Sequence, residues 1–440
     1  SNNQHPVLKV AVNVPLSREF DYLPPSGGPI PVPGCRVLVQ FGPRRQVGLV
    51  VGHSDGSELP REKIRRCIEV LDDEPLLGKD DLALVRFTSN YYHHPVGEVV
   101  AAAMPAILRQ GKALHPVVEM TAITDLGGAA DIEALTKKAP RQAELLETLC
   151  DAGGDGLEAD QLTELLPNWR RVARSLFAKG LIERFEARCG EFDETLAPAA
   201  TPGPELNDDQ CKALETLRSD LNVGAFLLEG VTGSGKTEVY LQRMQDIIEQ
   251  GKQVLVLVPE IGLTPQLVSR LRMRLGIEPA LLHSGLTDIE RLAAWRAARS
   301  GAARLVVGTR SAIFTPLKKP GLIIVDEEHD HSFKQQEGLR YSARDLAIVR
   351  AKHLDVPVIL GTATPTLEML HHCRSGAYKL IRLPRRAGGA KPPSLRLIDM
   401  ARIHANDGLS EPLIEAIRSH LQTDGQVLIF LNRRGFAPTL

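Results

Sequence analysis

Residues 230 to 237, Gly230-Val231-Thr232-Gly233-Ser234-Gly235-Lys236-Thr237, satisfy the pattern G-x-x-x-x-G-K-[ST] at every fixed position. Glycines in such a loop let backbone N–H groups converge on phosphate oxygens with no Cβ in the way. Lys236 offers a point charge to the β/γ-phosphates, and Thr237 offers a hydroxyl to Mg2+. An apolar run precedes the motif and a helical pattern opens near Thr237, the context that separates a phosphate cradle from an ordinary Gly-rich turn. A second centre begins where Leu322-Ile323-Ile324-Val325 runs into Asp326-Glu327-Glu328-His329. A strand apolar on both faces belongs in the middle of a parallel sheet, whose C-terminal edge is where ligands bind. There Asp326 is suited to hold Mg2+ and Glu327 to orient and deprotonate an attacking water. The bland alternative is a solvated acidic loop. Together the motifs imply nucleoside triphosphate hydrolysis, without choosing among kinases, GTPases, AAA+ proteins and helicases.

The elements that must position these residues follow from periodicity. From Leu206 onward, apolar β runs at 226–228, 254–258, 305–307, 322–325 and 358–360 alternate with amphipathic helices, the pattern of βαβ units on a parallel sheet. Before them, residues 7–14, 36–40 and 46–53 read as strands broken by Pro/Gly turns, and a helix is predicted near 79–92. Residues 140–149, 158–166 and 169–179 read as three helices, with Asn168 as an N-cap and Gly180 as a stop. A β-rich run at 181–185 follows, so the segment suggests a winged helix or, less specifically, a small helical spacer. The expected organisation is a strand-rich domain at 1–112, a winged helix at 113–190, a linker at 191–205, a P-loop lobe at 206–388 and a further segment at 389–440.

With 440 residues, 43% hydrophobic and 24% charged, the composition is that of a globular multidomain chain. The net charge of −1 advertises no global polyanion-binding field, so any nucleic-acid site must be a local patch. No apolar run reaches the length of a membrane span, and the first residues lack the pattern of a signal peptide. Six scattered cysteines, none in C-x-x-C spacing, read as reduced and mostly buried thiols rather than a zinc site. The adjacent His93 and His94 lack nearby carboxylate or Cys ligands and read as structural.

Three further segments narrow the choice. Gly361-Thr362-Ala363-Thr364-Pro365 resembles the S/G-A-T motif of superfamily 2 helicases. Val258-Pro259-Glu260-Ile261-Gly262-Leu263-Thr264 and Val307-Gly308-Thr309-Arg310-Ser311 resemble strand-tracking motifs. Helix N-termini bearing Thr264, Thr309 and Arg310 make good donors to a phosphodiester backbone, although each alone reads as a cap. Between the acidic box and Gly361, the segment from Ser332 to Asp345 resembles the aromatic-rich loop of the PriA family of replication-restart helicases. The amino-terminal segments around Phe20-Asp21-Tyr22, Phe41-Gly42 and Asn90-Tyr91-Tyr92 resemble that family's 3′-end-binding domain.

The resemblance implies an α/β RecA-like P-loop lobe preceded by a strand-rich DNA-binding domain and a winged helix, with a second motor lobe only begun. It implies ATP and Mg2+ as ligands, Gln210 at the adenine, and a 3′→5′ DNA helicase that recognises stalled forks and initiates primosome assembly. Phe20, Asp21, Gly42 and Arg65 would line a pocket for the nascent strand's 3′ end. Phe333 and Tyr341 would stack on single-stranded DNA, with Lys334, Arg340 and Arg344 on phosphates. Leu339 stands where the family often has Trp. Single-stranded DNA-binding protein and helicase-loading proteins would be partners, in a bacterial cytoplasm. The segment Gln426-Val427-Leu428-Ile429-Phe430-Leu431-Asn432-Arg433-Arg434-Gly435-Phe436 resembles the opening of lobe two. The family's zinc-binding cysteines and arginine fingers would then lie outside this sequence, leaving a chain that binds Mg-ATP but turns it over poorly. A RecG-like fork remodeller and a non-catalytic fork-binding adaptor are the competing readings.

Overall fold

The computed structural model describes residues 6–153, 156–188, 192–194, 197–219, 224–387, 394–400, 405–406 and 408–430. Five antiparallel strands open the chain: β1 (Val7–Val12), β2 (Phe20–Tyr22), β3 (Arg36–Phe41), β4 (Arg44–Ser54) and β5 (Glu69–Val70), in the order β2-β1-β4-β3-β5. Period-2 alternation divides their side chains between two cores. Leu8, Val10 and Val12 enter one cluster, while Ala11, Leu49 and Val51 enter another that continues far beyond this sheet. Helices α1 (Lys79–Tyr91), α2 (Val96–Ala103) and α3 (Ala106–Arg109) cover the sheet. Gly97 lets α2 sit directly on β1, because a Cβ there would lie 1.7 Å from the Val12 carbonyl oxygen.

The next segment builds on β6 (Val117–Ile123), which pairs antiparallel with β8 (Ile182–Arg188) and with the short β7 (Leu157–Glu158). Short helices α4 (Asp125–Gly128) and α5 (Ile132–Lys138) precede α6 (Pro140–Ala152), α7 (Ala159–Leu165) and α8 (Trp169–Ala178). Leu145, Leu149, Leu162, Trp169 and Leu176 close its own small core. Asn168 occupies the N-cap position of α8, but its side chain makes no capping bond. Cap geometry depends on backbone angles that residue type does not fix. The described part of the expected linker is strapped down: the Thr201 N–H donates to the Met273 carbonyl at 2.7 Å, and Arg274 donates to the Thr201 carbonyl at 2.6 Å.

Beyond α9 (Asp208–Ser219), seven parallel strands form one sheet in the order β11-β12-β10-β13-β14-β9-β15. They are β9 (Ala225–Gly230), β10 (Gln253–Leu257), β11 (Ala280–Leu282), β12 (Leu305–Gly308), β13 (Pro320–Val325), β14 (Val358–Thr362) and β15 (Lys379–Leu383). Helices α10 (Lys236–Glu249), α11 (Pro265–Leu275), α12 (Asp288–Ser300), α13 (Ala343–Leu354) and α14 (Leu367–Arg374) make the crossovers. The expected central strand is central: β13 is fourth of seven, and Leu322, Ile323, Ile324 and Val325 are fully buried.

The boundaries drawn at 112 and 205 do not separate independent bodies, since residues 1–387 form one compact unit. One hydrophobic cluster runs from Leu49 and Val99 of the first sheet and its helices to Trp295, Phe314 and Leu346 of the α/β lobe. Buried polar bonds reinforce it. The Trp295 indole donates to the Ala103 carbonyl at 3.1 Å, and Arg299 donates to the Leu76 and Pro75 carbonyls at 3.1 and 2.6 Å. Arg350 donates to the Ile313 and Thr315 carbonyls at 2.6 and 2.7 Å and approaches Asp81 at 3.5 Å. A second unit, residues 388–440, contains the hairpin β16 (Ala405–Asn406) and β17 (Leu409–Ser410), followed by α15 (Glu411–Leu421). Of the segment that resembles the opening of lobe two, residues 431–436 lie outside the described residues.

Among the described residues, which leave out Cys189, the thiols are not mostly buried. Cys35 and Cys67 are, but Cys150 and Cys211 are exposed and Cys373 is half-buried. Burial pushes the Cys67 thiol up to about 11. Because only the thiolate is the nucleophile, a thiol reagent at pH 8 is expected to modify Cys150 and Cys211 at once and to leave Cys67 untouched until the chain unfolds. Trp295→Ala is expected to cost about 3–5 kcal/mol. Limited proteolysis should then show cleavage within residues 7–105 and within the α/β lobe rising together, not in the lobe alone.

Candidate nucleotide and nucleic-acid sites

The phosphate loop turns directly out of β9 into α10, with Gly233 and Gly235 at φ 77° and 83° in the left-handed region that only glycine adopts freely. The acidic box follows β13, and β14 lies between these two strands, so three motifs converge at one sheet edge. Lys236 Nζ donates to the Gly230 carbonyl at 3.1 Å and lies 3.7 Å from Glu327 Oε1. Glu327 takes a φ of 50°, a strained conformation for a residue with a Cβ, worth roughly 1–2 kcal/mol. Such strain is typical of sites whose surroundings over-determine them.

Asp326 stands beside them, and the buried Tyr240 hydroxyl donates to its Oδ1 at 3.1 Å. Burial, then the neighbouring Glu327, holds the Asp326 carboxyl above its ordinary value; Tyr240 and Lys236 pull it down. Tyr240 was not foreseen, yet it lies four residues after Lys236 and therefore on the same face of α10. A Cβ on Gly361 would fall 1.4 Å from the Tyr240 hydroxyl and 3.2 Å from Asp326. Gly361 and Thr362 thus end β14 itself instead of following it. Thr362 Oγ1 shares a hydrogen bond with His329 Nδ1 at 2.8 Å. Glu328 is fully turned inward, accepting from the Thr366 N–H at 3.0 Å and from Arg344 at 3.1 Å.

Two acidic groups facing one lysine, with Thr237 half-buried at the start of α10, make an oxygen-donor set suited to Mg2+. The buried Ser234 hydroxyl has no hydrogen-bond partner among the described residues. Gln210 is not free for a base. It is buried, its Nε2 donates to the Ser234 carbonyl at 3.0 Å and its Oε1 accepts from the Asn207 N–H at 2.9 Å. In this conformation its amide holds the phosphate loop and reads no adenine edge.

The aromatic-rich loop is also corrected. Phe333, Leu339 and Tyr341 are 2%, 8% and 5% exposed and belong to the main core, so neither ring presents a face to a nucleobase. Tyr341 packs edge-on against Phe314, and its hydroxyl is pushed up to about 12 by burial. Aromatic area is worth more in a core than in water, and composition alone cannot say which side of a loop it faces. Arg344 is drawn inward by Glu328 and Asp345, leaving Lys334 and Arg340 as the exposed cations. Lys334 donates to the Arg340 carbonyl at 2.7 Å and sits 5.2 Å from the centre of the Tyr92 ring. Arg310 pins this loop by donating to the Ser332 carbonyl at 2.9 Å. Thr264 caps α11 with its hydroxyl, and Thr309 is buried, its N–H bonded to the Leu282 carbonyl.

Elsewhere, Phe20, Asp21, Gly42 and Arg65 line one cavity of about 760 Å3. Gly42 at φ 57° opens the two-residue turn between β3 and β4, with open space around its α-carbon. Phe20 stacks edge-on against Phe41 at 4.9 Å. Opposed across β1 and β2, Lys9 and Asp21 form a 2.6 Å ion pair, and the Ser57 hydroxyl donates to the other carboxylate oxygen. Arg18, Lys63 and Arg86 also face the cavity. His94 does have a carboxylate nearby, contrary to the sequence expectation: one turn of helix brings Glu98 to 2.6 Å from its Nε2.

Comparisons with known proteins identify the two regions that carry these sites. A family model described as the 3′ DNA-binding domain of PriA matches residues 9–105, and one for DEAD/DEAH box helicases matches residues 207–372. Curated relatives named "Replication restart protein PriA" are 40% identical in Haemophilus influenzae, 32% in Bacillus subtilis and 34% in Chlamydia pneumoniae. These alignments cover 99%, 96% and 97% of this chain and 59%, 61% and 58% of the relatives, so the chain spans about three fifths of their length. With the 3′-end domain, the helicase lobe and their order all matched, the chain belongs to the PriA family of replication restart proteins.

Proposed function

We propose that the chain carries the ATP-binding lobe and the 3′-end-recognition domain of a DNA-dependent ATPase. Moving 3′→5′, this helicase acts on stalled replication forks and begins primosome assembly. The observation that carries this reading is the meeting of Lys236 and Glu327 at 3.7 Å on the edge where Asp326 and Gly361 also end. Lys236 and the loop amides bind the β- and γ-phosphates, and Glu327 takes the proton of the attacking water. Thr237 and Asp326 would hold Mg2+, which neutralises charge on the phosphate oxygens. Tyr240 fixes the Asp326 carboxylate, and the Gly361 backbone makes room for it. Direction, fork preference and partners (single-stranded DNA-binding protein and helicase-loading proteins) follow from membership of the family.

Within the first cavity, the Asp21 carboxylate accepts a hydrogen bond from a free 3′-OH, and Phe20 and Gly42 shape the space for the terminal nucleotide. An anionic 3′-phosphate placed there meets Asp21 with like charge.

Lys236→Ala is expected to weaken ATP binding by roughly ten- to a hundredfold, the loss of a charge-assisted contact worth about 1.5–3 kcal/mol. Isothermal titration reads this directly. Tyr240→Phe should leave metal-free nucleotide affinity unchanged and raise the Mg2+ concentration needed for tight binding roughly three- to tenfold. An unchanged Mg2+ requirement would remove Tyr240 from the site. Forks ending in a 3′-OH should bind more tightly than forks ending in a 3′-phosphate, and Asp21→Ala should abolish that preference. If fluorescence anisotropy shows no difference between the two ends for the wild type, the cavity does not recognise the 3′ end, and a RecG-like remodeller becomes the better description.

A further inference from the structure

A second cavity of about 580 Å3 lies where α2 and α3 meet the α/β lobe, and a third of about 420 Å3 adjoins it. Asn13, Ala101, Met104 and Arg109 line both, so the two form one groove. It starts at Arg45 and Gln46 on β4, crosses the face of α2, and ends at Ser311 and Thr315 beside the strand-tracking turn. Its inner floor is apolar, built by Leu282, Phe314 and Leu339.

Three arginines, Arg45, Arg109 and Arg291, face two acids, Glu98 and Asp288. The acids are partly answered: Glu98 is paired with His94, and Asp288 sits in the first turn of α12, where the helix dipole favours an anion. Arg45 and Arg109 are exposed and make no side-chain hydrogen bond or ion pair among the described residues. A cationic rim over an apolar floor suits a single strand, which lays sugars and bases on apolar surface and phosphates on arginine. The groove is separate from the 3′-end cavity: the last turn of α1 and the first residue of α2 give Ser89, Asn90 and Val96 to that cavity, but His94 from the turn between them and Glu98 of α2 face this one.

We propose that this groove binds a segment of single-stranded DNA, distinct from the terminal nucleotide in the first cavity, and leads it onto the turn that holds Arg310 and Ser311. The proposal rests on the DNA-binding reading above. Because both cavities sit on one compact unit, a fork can place its nascent 3′ end in one and its unpaired template in the other at a fixed separation.

The test uses the whole chain and a fluorescent oligo-dT whose 3′ end is phosphorylated, so that the first cavity has no free hydroxyl to bind. Each phosphate contact on a single strand contributes about 0.7 to the salt slope. The R45A/R109A variant should therefore lose about 1.4 from the slope of log affinity against log salt, and affinity on the order of tenfold at low salt. R45K/R109K should restore most of both, and binding of a short 3′-OH trinucleotide should be unchanged. Equal affinity and equal slope for the double alanine variant would overturn the groove while leaving the DNA reading intact. Failure of the wild type to bind the blocked oligonucleotide while it still binds the 3′-OH trinucleotide would overturn the groove alone, and failure to bind either would overturn both. Parallel loss of trinucleotide binding would mean a general defect and would also overturn the groove.

Discussion

Trp295 occupies the point where two regions of very different sequence character share one interior. Its indole bonds to the end of α2, its ring lies in the core of the α/β lobe, and Arg299 one helical turn later reaches back to the carbonyls of Pro75 and Leu76. A weld of this kind removes the hinge that separate domains would otherwise have. The first cavity, the groove over α2 and the turn at Arg310 are consequently held in one frame. Arg350 adds to that frame from inside, where its guanidinium is satisfied by two turn carbonyls and Asp81 instead of by solvent. A buried arginine is tolerable only with such partners.

At the other side of the sheet, chemistry is arranged by exclusion of side chains. Gly361 has no Cβ, so Tyr240 can pass between β14 and α10 to reach Asp326. The carboxylate is then fixed, and burial makes it a costly anion until a cation arrives. Glu327 is aimed toward Lys236 by a backbone conformation that its residue type resists. Glu328, next in sequence, points the other way and ties the box to Thr366 and Arg344. Three adjacent acids thus have three separate environments, which suits the segment to the separate roles proposed for it as metal ligand, base and structural anchor.

The loop from Lys334 to Ser342 behaves unlike its composition. Its aromatic and leucine side chains form part of the weld and its cations remain outside, so the loop touches both the first domain, through Tyr92, and the acidic box, through α13. Lys334 and Arg340 are the cations this loop leaves exposed, and stacking of its rings on bases would require the core to open.

Much of the site was legible in sequence because it depends on local chemistry. A loop that must expose amides needs glycine at 233 and 235, and an uninterrupted apolar strand before Asp326 has only the middle of a parallel sheet in which to hide. The cavity residues Phe20, Asp21, Gly42 and Arg65 came together as the resemblance implied, although 45 positions of chain separate the first and last. What sequence did not determine was direction and partnership. Whether Phe333 faced solvent or core, whether Gln210 bonded a base or the phosphate loop, and that Tyr240 would reach Asp326 were settled by packing between segments far apart in the chain. Such contacts depend on how whole helices and sheets dock, and a periodic pattern records only that a face is buried, not what it is buried against.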